Sequence, residues 1–320
     1  MLLNVAWKLT KNVPRLLAFG AGAGLAWSAV AVDHAMALGP ALGGNRLTTD
    51  DGEGGSVALY HDESGTGAPV LLVHSVNAAA SSYEMRPLFS RLQGERPVWA
   101  LDLPGFGSSD RTERAYTPEL MTRAVVRALH RVGMPAHVVA LSLGAEFGAR
   151  AALERPDLVR SLSFLSPTGF AARSTAMALP PVLLTFPLWS QALYDGVASR
   201  ASIRFFLSKS FAGPVDELMV DHAYRTAHQP GARHAPLAFL SGNLFTSDAV
   251  SRLYAQVTVP TMVLYDRDPF TDFAELPEFI ADRSGWSASR IAGTNGLCHW
   301  DRPTQTLDAL VGHWRAAEAR

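Results

Sequence analysis

A serine lies between small residues at the point where an apolar run meets a helical pattern. The run Val138-Val139-Ala140-Leu141 leads directly into Ser142, and Gly144 follows two positions later. A strand that turns sharply into a helix exposes the hydroxyl of the residue at the turn and requires small neighbours. Unpaired N–H groups at the start of the helix would favour developing negative charge there. The pattern predicts a nucleophilic serine, with an ordinary helix-capping serine as the alternative.

The elements that must position this serine alternate between short apolar runs and helical patterns. Val70–Val73 and Val98–Leu101 are apolar throughout, as is typical of parallel strands buried on both faces. Residues from Pro118 to about Val132 have helical periodicity, with Thr117 as the N-cap. Further predicted strands are Val57–Tyr60, His137–Leu141, Leu162–Leu165, Thr261–Tyr265 and Ala288–Ile291, and further predicted helices span 81–93, 143–153, 276–283 and a C-terminal stretch from about Pro303.

This alternation stops between about Gly169 and Leu253, where helical segments occur without strands. The pattern predicts an α/β fold: an open, mostly parallel, twisted sheet with helices on both faces, a helical lid insertion and an extra N-terminal helix. We divide the chain into an N-terminal apolar helix (1–44), a core (45–168 and 254–320) and a helical cap (169–253). Residues 38–56 are rich in Gly and Asp, which predicts a linker with a turn.

The composition excludes several classes of function. Among 320 residues, 48% are hydrophobic and 18% are charged, and the 28 basic and 29 acidic residues are interspersed. We therefore expect a globular protein that does not bind nucleic acid. The single cysteine, Cys298, excludes an intrachain disulfide and a cysteine-rich metal site. His222 and His228 lack a flanking ligand pair, so neither a metal nor a cofactor is predicted.

The N-terminus combines basic residues with an apolar segment. Lys8, Lys11 and Arg15 precede an uncharged run from Leu16 to Val32. This order is typical of an export signal, which could be cleaved after Ala29-Val30-Ala31 or Ala35-Met36-Ala37. A short membrane anchor and a helix packed on the body are the alternatives. We expect membrane association or export through residues 1–44, with a cytoplasmic protein as the alternative.

Three motifs resemble those of the α/β-hydrolase fold superfamily, in its serine-nucleophile branch of esterases and lipases. Leu71–Tyr83 resembles the strand and oxyanion loop, and the Asp102–Ser109 run Asp-Leu-Pro-Gly-Phe-Gly-Ser-Ser resembles the loop after the following strand. The turn around Ser142 resembles the nucleophile elbow. The motifs occur in the family's order, and the resemblance covers about residues 57–315 apart from the lid.

The resemblance implies an oxyanion hole made of two backbone N–H groups. In the family, the residue after a His-Gly pair donates one of them. Here His74 and Ser75 take that place, so the donors become Val76 and, after the nucleophile, Leu143. Ser75 and Ala140 stand where relatives usually carry glycine. We expect His74 to anchor the loop rather than to act in catalysis.

The resemblance also implies the chain order nucleophile, acid, base. The acid lies a few residues beyond the strand that follows the lid, which favours Asp268 and leaves Asp266 as the alternative. The base must come later, where only His299 and His313 remain. His313 lies in the helical C-terminal pattern and is expected to face solvent. The implied triad is Ser142, Asp268 and His299.

The histidine loop departs from the family pattern. Counting back from Pro303, many relatives carry the base three residues before His299, where this chain has Gly296. Either a remodelled loop brings His299 to Ser142, or the base is missing. The neighbouring Cys298 is expected to be a buried structural thiol, because this loop delivers bases in this architecture.

These observations predict a serine hydrolase that cleaves an ester, or less readily an amide or C–C bond, through an acyl-enzyme. The substrate would be a small acyl compound, and the apolar lid stretches Leu179–Trp189 and Phe205–Phe211 would either line a hydrophobic pocket or form the lid's own core. A serine at the elbow argues against the aspartate-nucleophile chemistry of dehalogenases and epoxide hydrolases in this fold. Acyl transfer or perhydrolysis on the same triad is one alternative, and a non-catalytic binding protein is another. The oligomeric state is left open.

Overall fold

The apolar runs of the sequence form a single sheet. The structure is a computed structural model that describes residues 22–170 and 184–319. The strands in these ranges are β1 (Asn45–Asp50), β2 (Ser56–Asp62), β3 (Val70–Val73), β4 (Val98–Leu101), β5 (Ala136–Leu141), β6 (Val159–Leu165), β7 (Thr261–Arg267) and β8 (Trp286–Asn295). They lie in the order β1-β2-β4-β3-β5-β6-β7-β8. Strands β3 to β8 run parallel to one another, and β2 is antiparallel to both of its neighbours. The predicted α/β class is confirmed.

Helices cover both faces of this sheet and form the insertion between β6 and β7. The core helices are α1 (Arg86–Leu92), α2 (Pro118–Val132), α3 (Gly144–Glu154), α9 (Leu276–Ala281), α10 (Cys298–Asp301) and α11 (Pro303–Glu318), and the insertion carries α4 (Ser190–Val197), α5 (Arg200–Ser210), α6 (Glu217–Ala227), α7 (His234–Leu240) and α8 (Ala249–Arg252). The predicted N-cap of α2 is confirmed, because the Thr117 side chain accepts a hydrogen bond from the N–H of Leu120.

The two faces of the sheet pack into separate apolar clusters. Leu71 and Val73 of β3 lie in a cluster with side chains of α2, α3 and α9, whereas Val70 and Leu72 lie in a second cluster with side chains of α1 and α11. Successive strand residues point to opposite faces, so a strand covered on both sides must be apolar at every position. This packing is the physical reason why the short continuous runs could be recognised as strands.

The segment predicted to be a linker contains a strand instead. β1 lies within residues 38–56 and pairs along its whole length with β2, from Asn45 opposite His61 to Asp50 opposite Ser56. Its side chains alternate between exposed and half-buried, because it is an edge strand that contributes little to the core, where Leu47 packs. The apolar signal that marks the inner strands is therefore weak in β1.

The described part of the N-terminal segment packs on the helical insertion. Residues 22–31 are helical, and the Ser28 hydroxyl donates to the Asp195 carboxylate at 2.5 Å. The His34 Nε2 atom lies 2.9 Å from the same carboxylate oxygen, and the Met36 N–H donates to the His228 carbonyl. Residues 1–21 lie outside the described part of the chain. Over 22–170 and 184–319, no helix combines the length and apolar character needed to cross a membrane.

Candidate active site

Ser142 lies at the junction of β5 and α3 in a strained backbone conformation. Its φ angle is 51°, a region that non-glycine residues rarely adopt. Its N–H donates to the Leu165 carbonyl at 2.9 Å, and its carbonyl accepts from the N–H of Ala145 at 3.0 Å. The Ser142 side chain is partly exposed, while Leu141 and Leu143 are buried. The predicted sharp turn is confirmed, and it presents the hydroxyl at the carboxyl edge of the sheet.

Gly144 is required because α3 passes very close to the loop after β3. A Cβ atom on Gly144 would lie 2.5 Å from the carbonyl oxygen of His74. This distance is shorter than any ordinary contact, so a side chain would separate the turn from the loop. The small residue two positions after Ser142 therefore sets the distance between the two segments that carry the predicted N–H donors.

The loop after β3 carries the predicted oxyanion donor, and His74 anchors it. His74 is buried; its Nδ1 atom lies 2.5 Å from the Ser75 carbonyl, and its Nε2 atom accepts from the N–H of Leu103 at 3.0 Å. Within the described ranges, the N–H groups of Val76 and Leu143 donate to no other residue. They thus remain available to an oxyanion. The structural role expected of His74 is confirmed.

Glu84, which the sequence analysis did not single out, holds the same loop from beneath. Its buried carboxylate accepts from the Ser75 N–H at 2.9 Å and from the Asn77 side-chain amide at 2.7 Å. Two charge-assisted hydrogen bonds of this kind fix the loop next to Val76. A single glutamate in a helical pattern gives no sequence signal for this role.

Asp268 and Asp266 have different environments. Asp266 accepts from the Arg290 guanidinium and from the N–H groups of Gly293 and Thr294, which braces the loop after β8. Burial opposes the ionisation of Asp266, but these donors outweigh it and lower its pKa. Among the described residues, no side chain plays this part for Asp268: burial raises its pKa to about 6, offset in part by the backbone N–H groups of Phe270 and Thr271. Asp266 is therefore held by three donors, whereas no described side chain pairs with Asp268.

Gly296 lies directly against the Asp268 carboxylate. Arg267, the last residue of β7, pairs with Asn295, the last residue of β8. The residues that come next, Asp268 and Gly296, therefore leave the two strands side by side. A Cβ atom on Gly296 would lie 3.0 Å from Asp268 Oδ2, and the φ angle of Gly296 is 96°. The position beside the acid, where many relatives carry the base, is therefore taken by a residue without a side chain.

His299 does not reach this position. It lies in the one-turn helix α10 and is fully buried, with its Nε2 atom 2.8 Å from the Glu84 carbonyl and its Nδ1 atom without a partner among the described residues. Burial lowers its pKa to about 4, and the bond to Glu84 offsets only part of this shift. His299 makes no hydrogen bond with Ser142 or Asp268. The predicted contact of base with nucleophile and acid is therefore wrong, because α10 directs the ring into the core.

Two other predictions about this region have clear outcomes. Cys298 is buried, as expected, and burial raises its pKa to about 12, which makes its thiol unreactive. His313 was expected to face solvent, but it is buried and its Nε2 atom lies 3.1 Å from the Leu162 carbonyl. Its helix, α11, covers one face of the sheet, and His313 lies on the covered side.

The described side chains of the two predicted lid stretches are divided between core and surface, and Leu184 and Phe211 are buried. Phe186, Trp189, Phe205 and Phe206 are all exposed. Residues 171–183, which include the start of the predicted stretch Leu179–Trp189, lie outside the described ranges. Over those ranges, no three His, Cys, Asp or Glu residues come together in a group that could hold a metal ion.

Comparison with known proteins agrees with this architecture. A family model described as the alpha/beta hydrolase family matches residues 70–309. The chain is 35% identical over 110 residues to a haloalkane dehalogenase of Agrobacterium fabrum, and the match covers 34% of this chain and only about a third (36%) of that relative.

Two solved structures share the fold over most of the chain. A serine hydrolase involved in carbazole degradation superposes with a TM-score of 0.69 at 18% identity and covers 85% of this chain and 99% of its own. A membrane phospholipase A superposes with a TM-score of 0.65 at 19% identity and covers 100% of this chain and 97% of its own. The family model alone spans three quarters of the sequence, and the chain therefore belongs to the alpha/beta hydrolase family.

Proposed function

We propose that this chain is a serine hydrolase that cleaves carboxylic esters through an acyl-enzyme on Ser142. The observation that carries the proposal is the φ angle of 51° at Ser142. Strain of this kind costs roughly 1–3 kcal/mol and is found where it serves a function. The start of α3 and the free N–H groups of Val76 and Leu143 would stabilise the oxyanion that forms when the hydroxyl attacks a carbonyl.

The reaction would proceed in two steps. The Ser142 Oγ atom attacks the ester carbonyl carbon, its proton passes to a base, and the alcohol leaves with a proton. Water then attacks the acyl-enzyme and releases the acid. Amide hydrolysis, C–C cleavage or transfer to another acceptor would use the same nucleophile. The serine hydrolase named above, which has the same fold, is consistent with this chemistry.

The lack of a described imidazole beside Asp268 limits the rate at which the chain alone would hydrolyse an ester. In a serine triad, loss of the histidine typically lowers kcat by about 10⁶, while the oxyanion hole and binding still give about 10³–10⁴ over water. With Gly296 beside Asp268 and His299 bonded to Glu84, we expect slow turnover of simple esters.

A non-catalytic binding protein is the second candidate. The contact between Gly296 and Asp268 favours it, because a carboxylate without an imidazole cannot activate a serine in the usual way. The two candidates differ in one measurable property, the reactivity of the Ser142 hydroxyl toward an electrophile.

A fluorophosphonate probe tests this reactivity. We expect slow labelling of the folded protein over hours at pH 8, with the adduct on Ser142 by peptide mass spectrometry and none in Ser142→Ala. Ser166→Ala is the matched control, since Ser166 also follows a strand and has a positive φ (44°) but is buried. Ser142 should still be labelled in this variant. Imidazole can serve as an external base. If Ser142 of the folded protein stays unlabelled even with 100 mM imidazole present, the hydrolase proposal is excluded and a non-catalytic binding function is favoured.

We also propose that the N-terminal segment contacts a membrane. The helical part of this segment exposes Trp27 and Val30, and the neighbour described as a membrane phospholipase A covers the whole chain. Sedimentation with vesicles of phosphatidylcholine and phosphatidylglycerol would test this. Binding should weaken when Trp27 and Val30 are both changed to Ser, and binding that is absent or unaffected would contradict the proposal.

A further inference from the structure

A tyrosine of the helical insertion holds the oxyanion loop after β3. The Tyr194 hydroxyl donates to the Ala78 carbonyl at 2.8 Å. Ala78 lies two residues after Val76, which carries the predicted oxyanion donor, and the next residue, Ala79, packs against the apolar cluster that contains the Tyr194 ring. Tyr194 thus adds a support from the insertion to those that the Glu84 carboxylate provides from beneath the loop.

The Tyr194 side chain is buried, and its hydroxyl is a lasting donor. Only 1% of the residue is exposed. Burial raises the pKa of the hydroxyl well above its usual value, although the Arg111 charge opposes this shift, so the proton stays on the oxygen. A buried hydroxyl without an acceptor is unfavourable. The bond to the Ala78 carbonyl therefore constrains the loop as well as the tyrosine.

The residue after Tyr194 on α4 is tied to the N-terminal segment. Asp195 is fully buried, and its Oδ2 atom accepts from the Ser28 hydroxyl at 2.5 Å and lies 2.9 Å from the His34 Nε2 atom. Within α4, the Gln191 side-chain amide donates to the Oδ1 atom at 2.8 Å. Two of the three described side chains that contact this carboxylate by hydrogen bonds therefore belong to the segment and not to the insertion.

Departure of the segment would leave the Asp195 carboxylate buried, with Gln191 as the one remaining side-chain donor among the described residues. A buried carboxylate with so few donors is unfavourable, and the penalty falls when water reaches the group. Water can reach it only if α4 shifts. Because Tyr194 and Asp195 are adjacent in the same turn of α4, such a shift would draw the Tyr194 hydroxyl away from Ala78 and loosen the oxyanion loop.

We propose that α4 couples the N-terminal segment to the oxyanion loop, with Tyr194 as the residue that positions the oxyanion donor Val76. The inference rests on the proposed function and concerns the regulation of that site: Ser142 reacts fastest while the segment is bound to Asp195, and it slows when the segment leaves. Tyr194 bonds to the loop and not to Ser142. Its loss should therefore slow the step in which the oxyanion forms and leave the preceding binding step unchanged.

Tyr194→Phe in the full-length protein removes the hydroxyl and keeps the ring. With 100 mM imidazole as external base, we expect the maximal rate constant of fluorophosphonate labelling at Ser142 to fall about tenfold, since a misplacement near 1 Å can cost about 100-fold. The probe concentration that gives half of this rate should not change. Tyr116→Phe is the matched control, because Tyr116 is also buried and its hydroxyl donates to the Thr112 carbonyl at 2.9 Å, outside the oxyanion loop. This variant should label at the wild-type rate.

A second variant acts on the segment and leaves α4 unchanged. Ser28→Ala combined with His34→Ala removes the two contacts with Asp195, and its labelling rate constant should fall toward that of Tyr194→Phe. Added to Tyr194→Phe, the same pair should cause no further fall, because both changes act through one hydroxyl. Asp33→Ala, which changes an exposed carboxylate of the segment, should label as wild type does. Circular dichroism checks the folding of each variant.

The outcomes separate the inference from the proposed function. If Ser142 of the wild type is labelled, but Tyr194→Phe or the segment variant is labelled equally fast, the inference is wrong while the hydrolase proposal stands. The same holds if the effects of the two changes simply multiply. If Ser142 of the wild type stays unlabelled with imidazole present, both fail.

Discussion

The His299 imidazole and the Glu84 backbone are joined by a hydrogen bond of 2.8 Å, and the indole N–H of Trp300 donates to the same carbonyl at 2.7 Å. Helix α10 is thereby tied to the turn whose Glu84 carboxylate holds Ser75 and Asn77 of the oxyanion loop. His299 therefore supports the loop that carries the predicted oxyanion donor Val76, and its ring makes no hydrogen bond with Ser142 or Asp268.

Changing His299 to Gln should alter stability rather than chemistry. The pKa of His299 is lowered from 6.5 to about 4 by burial, so its contribution to stability is complete above pH 6.5 and is lost as the pH falls toward 4. Between pH 7.5 and pH 5, wild type should lose about 2 kcal/mol more unfolding free energy than His299→Gln. Urea unfolding at both pH values measures this difference.

The same variant separates support from catalysis. Because the glutamine amide can also donate to the Glu84 carbonyl, fluorophosphonate labelling of Ser142 in the presence of imidazole should stay within a few-fold of wild type. A folded His299→Gln protein that no longer labels would show that the ring is the base after all.

Asp268 should make the protein less stable above about pH 6 than at pH 5. Its folded pKa is raised from 3.8 to about 6, so the protonated form is favoured in the native state, and the stability it contributes is lost as the pH rises through 6. Asp268→Asn cannot ionise and should gain stability relative to wild type between pH 5 and pH 8, by about 1 kcal/mol after solvent screening. Urea unfolding at pH 5 and pH 8 gives the comparison. An equal difference at both pH values would show that the carboxylate is not perturbed, and Asp272→Asn, which changes an exposed carboxylate of the same loop, should give no pH-dependent change.

The nucleophile turn should not tolerate alanine at Gly144. The added Cβ would lie 2.5 Å from the His74 carbonyl, which forces the turn and the oxyanion loop apart and should destabilise the fold by about 1–3 kcal/mol. Fluorophosphonate labelling of Ser142 should also fall at least tenfold, because the segments that carry the Val76 and Leu143 N–H groups would be displaced from each other.

Gly148→Ala on the same helix is the matched control. Its nearest neighbour would be the Ala140 Cβ at 3.5 Å, an ordinary contact, and alanine is favoured over glycine inside a helix by about 0.5–1 kcal/mol. Thermal unfolding should therefore rank Gly148→Ala at or above wild type and Gly144→Ala below it. The reverse order, or unchanged labelling in Gly144→Ala, would contradict the tight approach.

The sequence was informative wherever burial leaves a compositional mark. β3 and β4 were predicted with their observed ends because both faces of each strand are covered, and α2 because Thr117 and the apolar periodicity define its start and face. β1 was missed because an exposed edge strand has no apolar stripe.

The base was misassigned for a different reason. After β8 the chain turns at Gly296 with a φ of 96°, and beyond this point no periodicity relates residue number to side-chain direction. His299 lies three residues after Gly296. This separation is enough to place its side chain in the core instead of beside Asp268. In the sequence, only the spacing between Pro303 and the histidine signalled that this loop departs from the family pattern. The pairing of Arg267 with Asn295 explains the departure, because it places Gly296 rather than His299 next to Asp268.

Asp195 should control how firmly the N-terminal segment is attached to the insertion. This carboxylate is fully buried and accepts from Ser28 at 2.5 Å and Gln191 at 2.8 Å, with the His34 Nε2 atom at 2.9 Å. Asp195→Ala leaves these groups without their shared acceptor, which should favour release of the segment. Limited proteolysis should then cut within residues 22–40 about tenfold faster, while the unfolding temperature of the core changes little. Asp33→Ala is the control, because its exposed carboxylate accepts from the nearby Ala35 N–H and from no other residue of the described ranges. Equal cleavage rates in Asp195→Ala and wild type would mean that Ser28 and His34 do not hold the segment in place.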